Sequence, residues 1–510
     1  MKDLFRIFVL NLFVVILSGQ GLQKKYVYAN YITPIFKGIN IYNDQIWTFG
    51  SLTRPEDNVD ELMINKLDNE GNLLAFSIFK DDSTYHWFNV GMTRLNDELY
   101  TVSNDPYISS SLVKFNTKTF QFEKALTFKS NEKENTFFSC HDFTLVDSNN
   151  FILSFVDNSK NINYGQSNVK IIKIKESGDV IWEYKYRIFN FHCYPTKIKV
   201  LKNSQIIIGC IGVKEGGFTV KDHKSIVTFF IHLTKDGKLI KIVTADKVYA
   251  TINDFLYQDD GSYICVGADT VHTNLKDLYS VCPIILKLDS TGKEMWIHDV
   301  SDRKLSYPGF EQMNFVEYDS TTNQFISAGM GRDVSELLPL SKEEYFACIA
   351  FRSNGEVEWN KVVRNHIAQR QDYCYGMSLI NNYIYLVGST GTFDFAQNNY
   401  FKSAILIRLN MQGCIEENCI DIKIDSSKLR FTFGPNPVHN EMTIYSNELE
   451  DVNIKVYSLE GKLMLTYLIP PFSYHKIIPT SELNSGVYII EAMNLTTKKR
   501  FIDKLIVQNQ

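Results

Sequence analysis

Proline is scarce in this chain, at 12 of 510 residues, and no stretch beyond the first 21 residues approaches a membrane-spanning length. Such a span needs about 18 apolar residues in a row. Few prolines leave long segments able to give every backbone N–H to a ladder, which suits strands. Positive charge is not in excess either. A net charge of −5 and a pI near 6.1 argue against nucleic acid, which would require a basic face to neutralise phosphates. The chain has no His-Glu-x-x-His helix, no Gly-x-Ser-x-Gly elbow and no Walker loop, so the usual zinc-protease, hydrolase and nucleotide signatures are missing. The first cysteine is Cys140, so the N-terminal segment offers no lipidation site.

What is present begins with a processing segment. Lys2 and Arg6 precede residues 7–17, which are apolar apart from Asn11, and Ser18-Gly19-Gln20-Gly21 supplies small residues for cleavage. This is the pattern of a secretory signal peptide over residues 1–21, too short for a spanning helix; a buried N-terminal helix is the alternative. The mature chain is expected to pass through the periplasm to the outer-membrane surface or the medium. Export permits disulfides. Cys414 and Cys419 bracket the short loop "CIEENC" and form the expected bridge, while Cys265 and Cys282 could meet across two strands. Nine cysteines leave at least one unpaired within the chain.

At 510 residues, at least two domains are expected. The middle of the chain is a repeat. One signature is an aromatic or β-branched strand, usually closed by Gly: it ends at Gly50, Ser103, Asp157, Gly209, Gly267, Gly329 and Gly388, at spacings of 53, 54, 52, 58, 62 and 59 residues. A second follows each time: an apolar strand, a polar turn with Gly, and another strand, as in "INKLDNEGNLLAFS" and "IIKIKESGDVIWEY". Asp, Asn, Ser and Gly in those turns supply positive φ and local hydrogen bonds. Each unit therefore holds four strands, and seven such units over residues 25–421 predict an all-β, seven-bladed β-propeller. Two packed sandwiches are the alternative. The last unit is short of a strand, and residues 25–31, "KYVYANY", would supply it and close the ring.

Trp182, Trp296 and Trp359 follow three of these turns, and "LKLDSTGKEMW" resembles the docking repeat of quinoprotein-like propellers. The resemblance implies indoles wedged between neighbouring blades, and it makes eight blades the alternative count. No Cys-Cys pair is present, so it implies the fold without the redox chemistry.

Residues 422–430 read as a polar linker. From residue 431 the chain spells Pro435-Asn436-Pro437, then Gly461-Lys462 after "VYSLE", then Leu-Asn-Ser-Gly486-Val487-Tyr488, then Lys498-Lys499-Arg500 before "KLIVQ". Four motifs in this order closely resemble the type A C-terminal sorting domain of type IX secretion substrates of Bacteroidota. The resemblance implies a small Ig-like β-sandwich at residues 431–510, read by the type IX translocon and sorting machinery. The basic cluster belongs to that pattern and needs no nucleic acid.

In a propeller the loops entering each innermost strand share one face. Those segments place His86, Trp87, His141, His192, Tyr194, Tyr373 and Tyr375 around one mouth. Aromatic rings with a few convergent polar groups make a ligand-binding site for an extracellular glycan, peptide or protein. The plainer account is that these side chains only pack where the blades converge. Cys140, Cys193 and Cys374 recur in the same register, but no metal site is expected from them. The loop Asp157–Asn163 has oxygen side chains at alternate positions, as calcium loops do; with one carboxylate, weak calcium binding is the most it offers, and no cofactor is expected. The sequence thus favours a non-catalytic recognition or scaffold module, with a secreted hydrolase or lyase working at the channel mouth as the alternative.

Overall fold

The computed structural model describes residues 23–26, 28, 32–54, 60–79, 88–105, 109–129, 138–157, 167–188, 190–214, 226–245, 250–272, 279–300, 312–334, 342–363, 370–394, 399–415, 431–434, 438, 441–446, 451–469, 475–495, 498 and 500–508. The fold is all-β, and no helix occurs among the described residues. The chain divides into two compact units, with the main boundary between Asn418 and Cys419.

The first unit contains seven four-stranded antiparallel sheets, numbered here in chain order. Sheet 1 is Ile32–Tyr42, Gln45–Thr53, Asp60–Leu67 and Leu73–Phe79, each strand pairing with the next. Sheets 2 to 6 repeat this meander, and their first strands are Phe88–Leu95, Phe138–Asp147, Phe191–Val200, Thr251–Tyr257 and Gln312–Asp319. Sheet 7 consists of Arg370–Ile380, Tyr383–Asp394 and Asn399–Asn410, completed by the N-terminal strand Gln23–Tyr26. The closing strand was expected over residues 25–31; it pairs two residues earlier, Gln23 with Ile407 and Tyr26 with Ala404. The first strands touch one another in cyclic order, sheet 7 returning to sheet 1, which is a propeller-like arrangement.

Local chemistry explains the repetition. Each turn between third and fourth strands in sheets 1 and 3 to 6, and the turn that follows the third strand of sheet 7, closes with the same pair of backbone bonds, as in Asp68 N–H to Asn72 O at 3.0 Å and Gly71 N–H to Asp68 O at 2.9 Å. The Gly takes positive φ there, so the turn costs little strain. The Gly expected to close the second strand lies inside it, and has a different reason. A Cβ on Gly50, Gly267, Gly329 or Gly388 would lie 1.7 to 2.0 Å from a first-strand carbonyl oxygen. The backbone of the first strand passes too close for any side chain.

Neighbouring sheets are locked by the expected tryptophans. Trp182 Nε1 donates to Lys235 O at 3.1 Å, Trp296 to Ser353 O at 3.2 Å and Trp359 to Met411 O at 3.0 Å, each in the turn of the following sheet. At the closing seam, Tyr26 donates to Gly71 O at 2.5 Å and Lys24 to Asn72 Oδ1 at 2.6 Å.

The second unit has a three-stranded sheet (Phe431–Gly434, Glu441–Ser446, His475–Pro479) and a four-stranded sheet (Leu463–Ile469, Val452–Ser458, Gly486–Asn494, Arg500–Val507). Their buried residues form one core that includes Val438, Met442, Ile454, Ile478, Ile490 and Leu505. Gly461 has φ +82° in the Ser458–Lys462 turn, and the Tyr488 hydroxyl donates to Asn484 O at 2.9 Å. Gly486 and Val487 start the strand that carries Tyr488. Pro435, Asn436 and Pro437 lie outside the described residues.

The thiol expectations separate. Cys414 is disulfide-bonded, and its expected partner Cys419 lies outside the described residues. Cys265 and Cys282 do not pair: the register sets Cys265 opposite Leu286 and Cys282 opposite Asp269, and both are buried thiols outside any disulfide. Cys140, Cys193 and Cys374 are likewise free and buried.

Candidate functional site

A cavity of about 570 Å³ lies where the seven first strands meet, and every one of the seven contributes to its wall. Its origin is a β-bulge repeated in each first strand. The ladder skips between Phe36 and Gly38, Val90 and Thr93, Cys140 and Asp142, Pro195 and Lys197, Ile252 and Asp254, Met313 and Phe315, and Cys374 and Gly376. A bulge leaves its extra residue outside the pairing and re-aims the side chain. The skipped residues are Lys37, Gly91 with Met92, His141, Thr196, Asn253, Asn314 and Tyr375, and all of them line the cavity. All are partly exposed.

Charge is arranged around this ring in pairs. Lys197 Nζ lies 3.2 Å from Asp142 Oδ1, and Lys199 Nζ lies 2.9 Å from Asp254 Oδ1. Each carboxylate also accepts a backbone N–H of the next sheet: Asp142 from Ile198 at 2.7 Å, Asp254 from Val316 at 3.1 Å, and Glu317 from Leu379 at 3.0 Å. The asparagines do the same with their amides. Asn253 Nδ2 donates to Met313 O at 2.9 Å, and Asn314 Nδ2 to Cys374 O at 3.3 Å.

Burial sets the protonation states. It pushes the Asp142 carboxyl up, against the pull of Lys197 and the Ile198 N–H. It raises Glu317 to about 7, with the Leu379 N–H and Lys199 opposing. It drives His141 down to about 4, so that imidazole is neutral at neutral pH. Desolvation works against the charge on Lys197, but Asp142, Asp254 and Glu317 outweigh it and raise its pKa.

Of the residues expected at the mouth, His141 and Tyr375 line the cavity. Tyr194 lies beside His141, ring centroids 6.3 Å apart, and His192 stacks on Tyr194 at 6.5 Å. Tyr373 stacks on Tyr375 at 5.9 Å and 16°. Tyr194 and Tyr373 therefore adjoin residues of the wall, His192 adjoins Tyr194, and none of the three lines the cavity itself. His86 and Trp87 lie outside the described residues, as do residues 158–163 of the calcium-like loop; Asp157 itself pairs with Lys185 at 3.7 Å. Among the described residues no group of three or more His, Cys, Asp and Glu could hold a metal ion.

Sequence reasoning missed Lys37, Asn253, Asn314, Lys197, Lys199 and the three carboxylates. The selection followed ring chemistry. A usable signal was a polar residue breaking the apolar spacing at the same place in each first strand, as in "CHDF", "INDF" and "MNF".

Several solved structures resemble the chain at low identity. PorZ, a bacterial surface component of the type IX secretion system of Porphyromonas gingivalis, is 10% identical over 96% of this chain and 74% of its own, with a TM-score of 0.31. An ulvan lyase is 8% identical, covering 79% of this chain and 99% of its own, at 0.48. Drosophila semaphorin 2a is 8% identical, covering 95% and 97%, at 0.43. None of the curated proteins matches the chain. Among the described residues no helix is long and apolar enough to cross a membrane. Residues 433–508 match the family described as the secretion system C-terminal sorting domain, so the chain ends in a delivery module of the type IX export route.

Proposed function

We propose that residues 25–421 form a seven-bladed propeller that acts as a non-catalytic recognition module. After removal of residues 1–21, an Ig-like sorting domain at residues 431–510 would deliver it, across the linker 422–430, to the cell surface or medium. One observation carries the non-catalytic reading. Each of the three cavity carboxylates is engaged by a backbone N–H of the next sheet. Such a carboxylate staples two sheets, and using it as a general base or nucleophile would weaken that seam. The entry end supplies the binding chemistry, because His141 with Tyr194 and Tyr373 with Tyr375 offer rings to stack on a ligand.

The test is binding across a panel of extracellular glycans, peptides and proteins. Tyr194→Ala and Tyr375→Ala should each weaken whatever the wild type binds by tenfold or more. Equal binding by wild type and both variants removes the entry end as the site. A hydrolase or lyase is favoured by one feature, the Glu317 carboxyl raised to about 7, where it could exchange a proton at neutral pH. Turnover of a polysaccharide or ester that vanishes in Glu317→Gln would establish that reading.

A further inference from the structure

Each of the seven sheets in the first unit has its fourth strand as an outer edge, and no further described strand pairs with it. An exposed edge is a template for pairing with another chain, and charged side chains are a common protection. Six of the seven edges have it. Glu123 lies in Gln121–Lys129 of sheet 2, Glu183 in Val180–Tyr186 of sheet 3 and Lys241 in Leu239–Thr244 of sheet 4. Glu294 lies in Glu294–Asp299 of sheet 5, Glu358 in Val357–Val363 of sheet 6 and Lys24 in Gln23–Tyr26 of sheet 7. The edge of sheet 1, Leu73–Phe79, reads "LLAFSIF" and has no charge and no proline. None of its residues is fully buried, and Leu74 is 52% exposed, whereas the third strand beside it is buried along most of its length.

We infer that this edge is a self-association surface: two copies of the chain pair Leu73–Phe79 with Leu73–Phe79, antiparallel about a two-fold axis, and so join their first sheets edge to edge. The partner is a second copy because the strand is complementary to itself. From Ala75 to Phe79 it runs in unbroken register against Lys66 to Leu62, so its backbone is regular over that stretch. Centred on Ser77, self-pairing sets Phe76 opposite Ile78, Ala75 opposite Phe79 and Ser77 opposite its own copy. Aromatic with β-branched, and hydroxyl with hydroxyl, are stabilising cross-strand pairs. Small against large fills the remaining row, where the Phe79 ring already rests on Phe122 of sheet 2 at 5.6 Å. Phe76 and Ile78 share one face and are only partly buried against the core between sheets 7 and 1, so apolar surface remains for the copy to cover. No charge meets a charge in this arrangement. Paired with any of the other six edges, the strand would bring a charged side chain onto an apolar row, the arrangement that guards those edges. Charge therefore selects the same edge of a second copy.

A two-fold contact between identical surfaces closes at two copies and does not propagate. It also spares the cavity. First strands wall the cavity and lie at the opposite edge of each sheet from the fourth, so pairing at Leu73–Phe79 leaves both cavities of the pair open.

The experiment measures the mass of the full exported chain by light scattering after size exclusion, from about 1 to about 100 μM, a range that includes weak specific interfaces. The expected result is twice the single-chain mass at the top of that range. Ser77→Lys and Ser77→Glu should each hold the chain at the single mass throughout, because the two-fold axis sets like charges opposite each other. An equimolar mixture of the two variants should return to twice the mass. Thermal melts matching wild type show that the variants are folded. Where a variant melts lower, amide exchange of wild-type Leu73–Ile78 decides instead, and protection there must rise with concentration. Wild type at the single mass at every concentration, a pair that either folded variant preserves, a mixture that stays single, or protection that ignores concentration overturns the proposal.

Discussion

Gly388→Ala isolates the backbone approach on which the cavity depends. Gly388 sits opposite Cys374, one residue before the bulge that projects Tyr375 into the cavity. A Cβ there would lie 1.8 Å from Tyr373 O and 3.1 Å from the Phe346 ring. An ordinary contact needs about 3.4 Å, so strand Tyr383–Asp394 must move away from strand Arg370–Ile380 by roughly 1.5 Å. It cannot do so freely, because its other edge is laddered to Asn399–Asn410. Overpacking of this kind costs about 1–3 kcal/mol, and each ladder bond given up adds roughly 1 kcal/mol. The expected loss is about 3–4 kcal/mol of stability, together with displacement of the Tyr373–Tyr375 stack. Gly261→Ala is the control: that residue has φ +84°, and its nearest contact, Ser290 Cβ, is at 3.2 Å. Its cost should be the left-handed conformation alone, about 1–2 kcal/mol. Equilibrium urea unfolding followed by tryptophan emission compares the two. If Gly388→Ala is no less stable than Gly261→Ala, the close approach does not constrain the sheet and the reasoning fails.

The pH dependence should show two opposite slopes. Glu317 is held at about 7 in the fold, above its ordinary value, so its contribution is fully present below about 4.5 and lost as pH rises through 7; Glu317→Gln should remove up to about 3 kcal/mol of that fall in urea unfolding between pH 5 and 8. His141 is held at about 4, so its contribution is present above about 6.5 and lost as pH falls toward 4; His141→Gln should flatten that acid limb, and an unchanged limb counts against its burial as the cause. Trp359→Ala removes the indole that donates to Met411 O and lies against Gly413, and should lower stability by about 3 kcal/mol; a melting temperature equal to wild type would refute the role of that seam. Deleting residues 431–510 should leave the first unit folded but held in the periplasm, since the second unit has its own core; truncated protein recovered outside the cell would contradict this.

What the sequence determined by itself was what depends on near neighbours. Strand alternation, the Asx-Gly turns and the tryptophans that follow them are local chemistry, so the four-strand unit could be read seven times over. The Pro435-to-Tyr488 motif order likewise identified the sorting domain with no knowledge of its sheets. Tertiary structure decided the cavity. Which residue a bulge expels depends on register against the second strand, and a polar residue in "INDF" carries no mark of that register. Whether Asp142 is a catalytic base or a staple depends on the Ile198 N–H, 56 residues away and in the next sheet. The closing strand shows the same limit: its composition named a strand near residue 25, but only the free edge of Asn399–Asn410 fixed it at Gln23–Tyr26. Local preferences select an element; partners distant in sequence select its register, and here the register makes the cavity.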